Sequence, residues 1–262
     1  MNKSIFKSRI AVLFIALGLS FTSCSDDDSG TSNPDTQNIS TEEISKALEV
    51  EQASTFINDM TLSNIAGTKS EFAKNNDCID YVVSESGYTL TFNDCEFPGR
   101  GTVSGTINVV VTIANDQATS TVTFDNFTYN GNVVNGSKTT SYSLNSNGGS
   151  FVYNVTSDIS IAFADGTTAF EQGTKTYEVT GLGTAEAAYS ITGNWTVGLD
   201  NNTYSFVTDP SISGDFNCQY FTTGAVDITH NGNMVSVDFG DGSCDNKATV
   251  IYPDGTEVEI EL

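Results

Sequence analysis

Three groups of residues have types that could do chemistry: the cysteines, a single histidine, and clusters of acids and aromatics. The cysteines are Cys24, Cys78, Cys95, Cys218 and Cys244. His230 is the only histidine, so a His-ligated metal cluster cannot be assembled from this chain. It falls in an expected hairpin turn, a poor place for the held and oriented imidazole of a Ser-His-Asp site. Asp238, Asp241 and Asp245, around Gly240 and Gly242, could offer hard oxygen ligands to calcium. Their spacing is not that of an EF-hand loop, and Asp-Gly is first of all a turn signal. Trp195, Tyr189 and Tyr204, together with Phe206, could form a sugar-stacking platform or line an apolar pocket. Aromatics at period two more often belong to a core. Asp and Glu abound, yet no spacing singles out the carboxylate pair that glycoside hydrolysis needs. No catalytic constellation emerges and no cofactor is called for, so the expectation is a non-enzymatic protein.

Cys24 stands apart from the other four. Lys3, Lys7 and Arg9 precede and flank the apolar run Ile10–Leu19, and Ser20-Phe21-Thr22-Ser23 leads into Cys24. The run is too short to cross ~30 Å of hydrocarbon, which takes about 20 residues, and it fits the h-region of a secretory signal. The Phe-Thr-Ser-Cys ending resembles a lipoprotein lipobox, with Phe21 where Leu is commoner. Residues 1–23 are then expected to be a signal peptide and Cys24 the lipid-bearing N-terminus of the mature chain. Acyl chains anchor at ~0.8 kcal/mol per buried CH₂. Residues 24–40, rich in Ser, Asp, Asn, Thr, Gly and Pro, are expected to be a flexible acidic tether.

Charge narrows the partners. The chain has 10 Lys+Arg against 33 Asp+Glu, a net charge of −23. Loss of residues 1–23 removes Lys3, Lys7 and Arg9 and no acid, which leaves −26. Such a chain should not bind nucleic acid, whose phosphates call for basic residues. It is repelled by anionic membrane surfaces, so the lipid anchor is expected to be its sole membrane contact. Cations and basic partners are attracted.

The elements that must position these residues are one helix and many strands. Ser40-Thr41-Glu42-Glu43 has the form of a capping box. Ile44, Ala47, Leu48, Ala53, Phe56, Ile57 and Met60 recur mostly at i, i+3, i+4, which predicts one amphipathic helix over 41–59. From residue 78 the period becomes two, as in Val103 to Ile113, Ile159 to Phe163, Trp195 to Leu199 and Val235 to Phe239. Asn130-Gly131, Asn135-Gly136, Asn147-Gly148, Asp165-Gly166, Asn231-Gly232 and Pro253-Asp254-Gly255 are turn signals. No helical pattern separates the strands, so parallel crossovers are not expected. The fold class is mainly β: an antiparallel meander of about twelve strands, as a sandwich or a partly closed barrel, with one N-terminal amphipathic helix. Residues 41–262 form a single helix-plus-β domain.

Hairpin geometry selects among the three connectivities open to Cys78, Cys95, Cys218 and Cys244. If Ser86-Gly87 is a two-residue turn, Glu85 faces Tyr88, and outward counting brings Cys78 opposite Cys95 at a closely spaced pair. If His230-Asn231-Gly232 is a three-residue loop, Thr229 faces Asn233, and the count brings Cys218 opposite Cys244. An exported chain allows both bridges.

Several segments carry a resemblance to a known group. They are Cys24-Ser25-Asp26-Asp27-Asp28, Leu90-Thr91-Phe92-Asn93-Asp94-Cys95, Gly101-Thr102-Val103-Ser104-Gly105, and the ending Phe239-Gly240-Asp241-Gly242-Ser243-Cys244-Asp245-Asn246. In these the chain resembles uncharacterised surface lipoproteins of Bacteroidota, of flavobacterial type, and the acidic run resembles their surface-export signal. The resemblance implies an outer-membrane protein, lipid-anchored and facing the exterior, and it supports both bridges. It supplies no activity and no site residues. The expected role is non-enzymatic binding or structure. One alternative is a carrier of an apolar ligand in a helix-lidded, partly closed barrel. The other is a glycan-binding or glycan-acting surface protein. A filled interior would argue against the carrier, and a large apolar cavity under the helix would argue for it.

Overall fold

The computed structural model describes residues 39–62, 77–97, 101–114, 117–143, 150–181, 187–208, 210–215, 218 and 220–262. Cys24, the signal segment and most of the tether lie outside the described residues, as does Asn147-Gly148. The body begins earlier than residue 41: Ile39 is buried.

Helix α1 (Thr41–Leu62) opens with the expected capping box. The Ser40 amide donates to Glu43 Oε2 at 2.9 Å, and the Glu43 amide donates to Ser40 Oγ at 3.3 Å. Two donors at the start of a helix lack intrahelical partners unless side chains supply them. Ile39 and Ile44 occupy the flanking positions of a hydrophobic staple, and both are buried.

Fourteen antiparallel strands follow among the described residues. They are β1 (Ile79–Ser84), β2 (Gly87–Phe97), β3 (Gly101–Ala114), β4 (Gln117–Tyr129), β5 (Asn132–Ser143), β6 (Ser150–Ala162) and β7 (Thr168–Thr180). Then come β8 (Ala188–Leu199), β9 (Asn202–Val207), β10 (Ile212–Asp215), β11 (Thr223–His230), β12 (Asn233–Asp241), β13 (Lys247–Ile251) and β14 (Glu257–Glu261). They make one meander sheet, paired in chain order, except that β9 and β10 share β8 end to end and both continue to β11. Strands β1 and β14 are the free edges and do not pair with each other. The sheet is therefore a partly closed ring, and the sandwich is not realised.

Alternation sorts the strands cleanly. Along β6 every second residue from Tyr153 to Ile161 is buried and every second residue between them is exposed. The inward residues meet α1, which packs inside the curl against β7, β8 and β14. The expected amphipathic helix needs correction here. Its polar residues Glu51, Ser54, Asn58 and Thr61 are as buried as its apolar ones. Beyond its first turn, a stripe through Ser45, Lys46, Glu49, Gln52, Thr55 and Asp59 stays partly open, in line with the exposed Glu42.

Most turn signals hold. Asn130-Gly131, Asp165-Gly166, Asn231-Gly232 and Pro253-Asp254-Gly255 each join consecutive strands. Asn135-Gly136 does not turn the chain; it lies within β5, where Gly136 has φ +99° and a Cβ would come within 2.2 Å of the Asp158 carbonyl oxygen. Only glycine tolerates that combination.

Both expected disulfides form, Cys78–Cys95 with Cα atoms 5.5 Å apart and Cys218–Cys244 with 5.7 Å. The expected registers are wrong in each case. In the first hairpin Ser84 faces Gly87, so Glu85-Ser86 is the turn and the ladder is shifted by two residues. The Asn93 amide then donates to the Cys78 carbonyl at 2.9 Å. A bulge after Phe92, with Asp94 at φ +49°, carries Cys95 back to Cys78. In the second hairpin His230 faces Asn233 across a two-residue turn. A register shift near Gly224, from Ala225 facing Asp238 to Thr223 facing Asp241, moves the ladder further from the expected count, and the two cysteines meet beyond it, after β10 and β12.

Candidate functional site

The interior of the ring is polar at its centre. Lys175 Nζ on β7 reaches both carboxylate oxygens of Glu51 at 2.6 Å and Glu171 Oε2 at 3.1 Å. Ser54 Oγ donates to Glu171 Oε1 at 2.8 Å and accepts from Lys138 Nζ at 2.7 Å. Lys138 also donates to the Ser54 carbonyl. Lys175 lies 4.4 Å from the centre of the Trp195 ring, a cation–π distance. Gly173 faces Trp195 across β7 and β8, and a Cβ there would come within 2.6 Å of the tryptophan backbone.

Two lysines and two glutamates balance in charge, and all four are buried. Burial pulls Glu51 upward against the opposing effect of Lys175. Burial would also raise Glu171, but Lys175 and Lys138 hold it below the usual carboxylate range. Burial would lower Lys175, and Glu171 with Glu51 keep it raised. Among the described residues Lys138 forms no ion pair of comparable length, and burial pushes it down to about 8.

Three tyrosines complete the attachment of the helix. Tyr204 donates to Glu43 Oε1 at 2.7 Å near the start of α1. Asn58 donates to the Tyr177 hydroxyl at 2.8 Å. Tyr88 donates to the Thr61 carbonyl at 2.6 Å, satisfying one of the last acceptors of the helix. Polar contacts thus tie α1 to the sheet at its start, its middle and its end.

The open stripe of α1 forms the floor of a groove where the ring does not close. One cavity of about 230 Å³ has Gln52, Thr55 and Asp59 beneath it. Its walls are aromatic: Tyr129 on one side, and Tyr189, Tyr220, Phe221 and Phe239 on the other. A second, more open cavity of about 410 Å³ continues past Glu42, Lys46, Glu49 and Glu261. The two share Gln52 and Leu262. From Glu42 to Asp59 the floor runs about 25 Å at ~1.5 Å per helical residue. Glu51 touches both the groove and the buried cluster.

The residues singled out from sequence are placed as follows. Trp195 and Tyr204 are inside the core; Trp195 stacks on Phe206 and Tyr204 on His230. They form no exposed platform, because their strand positions face α1. Tyr189 alone of the three borders the groove. His230 Nδ1 donates to the Thr203 carbonyl at 2.8 Å, and Nε2 accepts from Asn231. Both ring nitrogens therefore serve the turn. Asp238, Asp241 and Asp245 line one cavity of about 180 Å³ with Lys247. Each spends an oxygen on the amide two residues ahead: Gly240, Ser243 and Lys247. Among the described residues no group of three or more His, Cys, Asp or Glu side chains is arranged to hold a metal ion.

Sequence reasoning missed Glu51, Lys138, Glu171 and Lys175. A signal was present: Lys138, Glu171 and Lys175 occupy strand positions whose period-two neighbours, such as Tyr142, Ala169 and Val179, are inward. Charged residues on an inward parity call for partners. Compared with known proteins, the chain matches no family model, no curated protein and no solved structure.

Proposed function

We propose that this is a lipid-anchored outer-membrane protein, facing the cell exterior, whose folded body binds a partner without transforming it. One observation carries the binding part: α1 fills the ring, and a groove runs along its outer stripe. Small-ligand pockets are typically ~300–1,000 Å³ and predominantly apolar. The less open part of the groove, about 230 Å³, is smaller than that and has Glu51, Gln52, Thr55, Asp59 and Asn130 in its lining. This weighs against a carrier of an apolar ligand beneath a helical lid. The two buried carboxylates, Glu51 and Glu171, both hold Lys175. The address rests on the Cys24 junction and on the resemblance to Bacteroidota surface lipoproteins.

Expression of the full chain in a Bacteroidota host tests the address. Radiolabelled palmitate should enter the wild-type protein and be absent from Cys24→Ala. External protease should release the folded body from intact cells. A protein without label, or one released only after lysis, would contradict the proposal.

A further inference from the structure

The sheet ends in two free edges of opposite character. On β14 the Leu262 amide donates to the Asn246 carbonyl, and the Tyr252 amide to the Thr256 carbonyl. That parity turns the backbone groups of Glu257, Glu259 and Glu261 away from β13, and all three side chains are exposed. A row of like charges guards an edge against a further strand. On β1 the parity is set by the Asn93 amide, which donates to the Cys78 carbonyl. Asp80, Val82 and Ser84 therefore bond to β2, and the amides and carbonyls of Tyr81 and Val83 point away from it. No strand among the described residues pairs with that side of β1.

The β1 edge has no such guard. It carries one acid, Asp80, whose carboxylate accepts from the Asn93 side chain, and it has no Lys, no Pro and no bulge. Val82 is 64% exposed and Val83 60%, and Val110 and Ile113 on β3 are exposed as well. Half of the exposed large apolar side chains among the described residues thus lie on two neighbouring strands beside this edge and its hairpin partner β2. Such a concentration marks an interaction surface.

An open edge is complemented by a strand, and the residues of β1 select which one. Laid antiparallel on itself with Val82 opposite Val82, β1 places Tyr81 opposite Val83 and Asp80 opposite Ser84 on each side of the centre. Tyr81 and Val83 then exchange backbone hydrogen bonds across the pair, both exposed valines are covered, and no like charges stand directly opposite. Sliding to Tyr81 opposite Tyr81 would set Val82 against Asp80 and lose the match. Pairing β1 with β14 of another copy would set it against three glutamates and leave an edge free for open-ended growth.

We propose that β1 pairs antiparallel with β1 of a second copy of this chain, about a two-fold axis at Val82. The pairing is independent of the groove and of the lipid anchor. Each copy has a net charge of −23, so salt, by screening their repulsion, strengthens the pair.

The test uses the full chain purified in mild detergent, oxidised with copper phenanthroline and resolved on non-reducing gels, with the wild type as baseline. Val82 meets its own copy at a closely spaced pair, about 4.5 Å between Cα atoms, which is within disulfide reach. Val82→Cys should give a covalent dimer at least about ten-fold faster than Val152→Cys, an exposed position on the outer face of β6. Mass spectrometry should place the bridge at residue 82, and its rate should rise with salt. Asp80→Cys and Ser84→Cys copies, once mixed, should cross-link to each other faster than either does to itself. Adding Val83→Pro to Val82→Cys should abolish the dimer and leave the urea midpoint near that of Val82→Cys alone, because the Val83 amide serves no bond within the sheet. Equal rates at residues 82 and 152 would reduce the contact to random collision and overturn the proposal. So would the absence of a Val82→Cys dimer, a rate that falls with salt, or a folded Val83→Pro variant that still cross-links.

Discussion

Two polar stripes run along α1, and they have opposite fates. Glu51, Ser54, Asn58 and Thr61 face the sheet, are buried, and find Lys175, Glu171, Lys138, Tyr177 and Tyr88 there. Glu49, Gln52, Thr55 and Asp59 face the gap in the ring and border a groove. The residue types are nearly the same. A carboxylate that is fully buried must be paired, so the first stripe is bound into the fold. A carboxylate at a half-open rim keeps part of its hydration and needs no buried partner. Position on the helix, more than chemistry, separates the structural stripe from the recognition stripe.

The sharpest way to break this comparison is Lys175→Met. Glu51 and Glu171 would remain buried with their shared cation gone. Removing one partner of a buried ion pair costs about 3–5 kcal/mol, so the urea midpoint should fall steeply. Exchanging the whole set, as Glu51→Leu/Lys138→Met/Glu171→Leu/Lys175→Met, should recover most of that loss, because replacing all members of a buried ionic set by apolar groups is often neutral.

A medium effect follows from Lys138, which burial pushes down to about 8. An unfolded lysine keeps its proton to about pH 10.4. Between those values the unfolded chain binds more protons than the folded one, so this residue makes stability rise with pH. Below about pH 8 the full cost of its buried charge is present. Lys138→Met should flatten that rise in denaturation curves taken between about pH 8 and 9.5. Above about pH 10 the sign reverses. Tyr88, Tyr153 and Tyr177 are held above the phenol range by burial, so the unfolded phenols ionise first and stability falls.

The smallest effect belongs to the groove stripe. Glu49→Gln/Gln52→Ala should leave stability within about 0.5 kcal/mol of the wild type, as surface changes away from buried networks do. A large loss would place that stripe in the fold as well and erase the comparison.

Parts of this were legible from sequence, for local reasons. The capping box of Ser40 and Glu43 is a spacing of three residues, and the inward-outward sorting of β6 is a period of two. The cysteine pairs were legible despite wrong registers, because a bulge at Asp94 compensated the first miscount and the second pair meets in the connections beyond the ladder, where a residue of register does not decide it. The role of α1 was not legible. Glu51, Ser54 and Asn58 look like the wet side of an amphipathic helix, and the residues that claim them lie more than eighty positions away in sequence. The groove could not be anticipated either, since it depends on where a fourteen-stranded ring stops short of closing.

The central claim is that α1 is the core of the ring and not a lid over an empty one. Native-state hydrogen exchange measures this directly, since segments that open locally exchange ahead of global unfolding. The amides from Leu48 to Met60 should exchange with the slowest amides of β6, β7 and β8, at the free energy of global unfolding. Exchange of α1 by local opening, well before those strands, would show a lid and contradict the account.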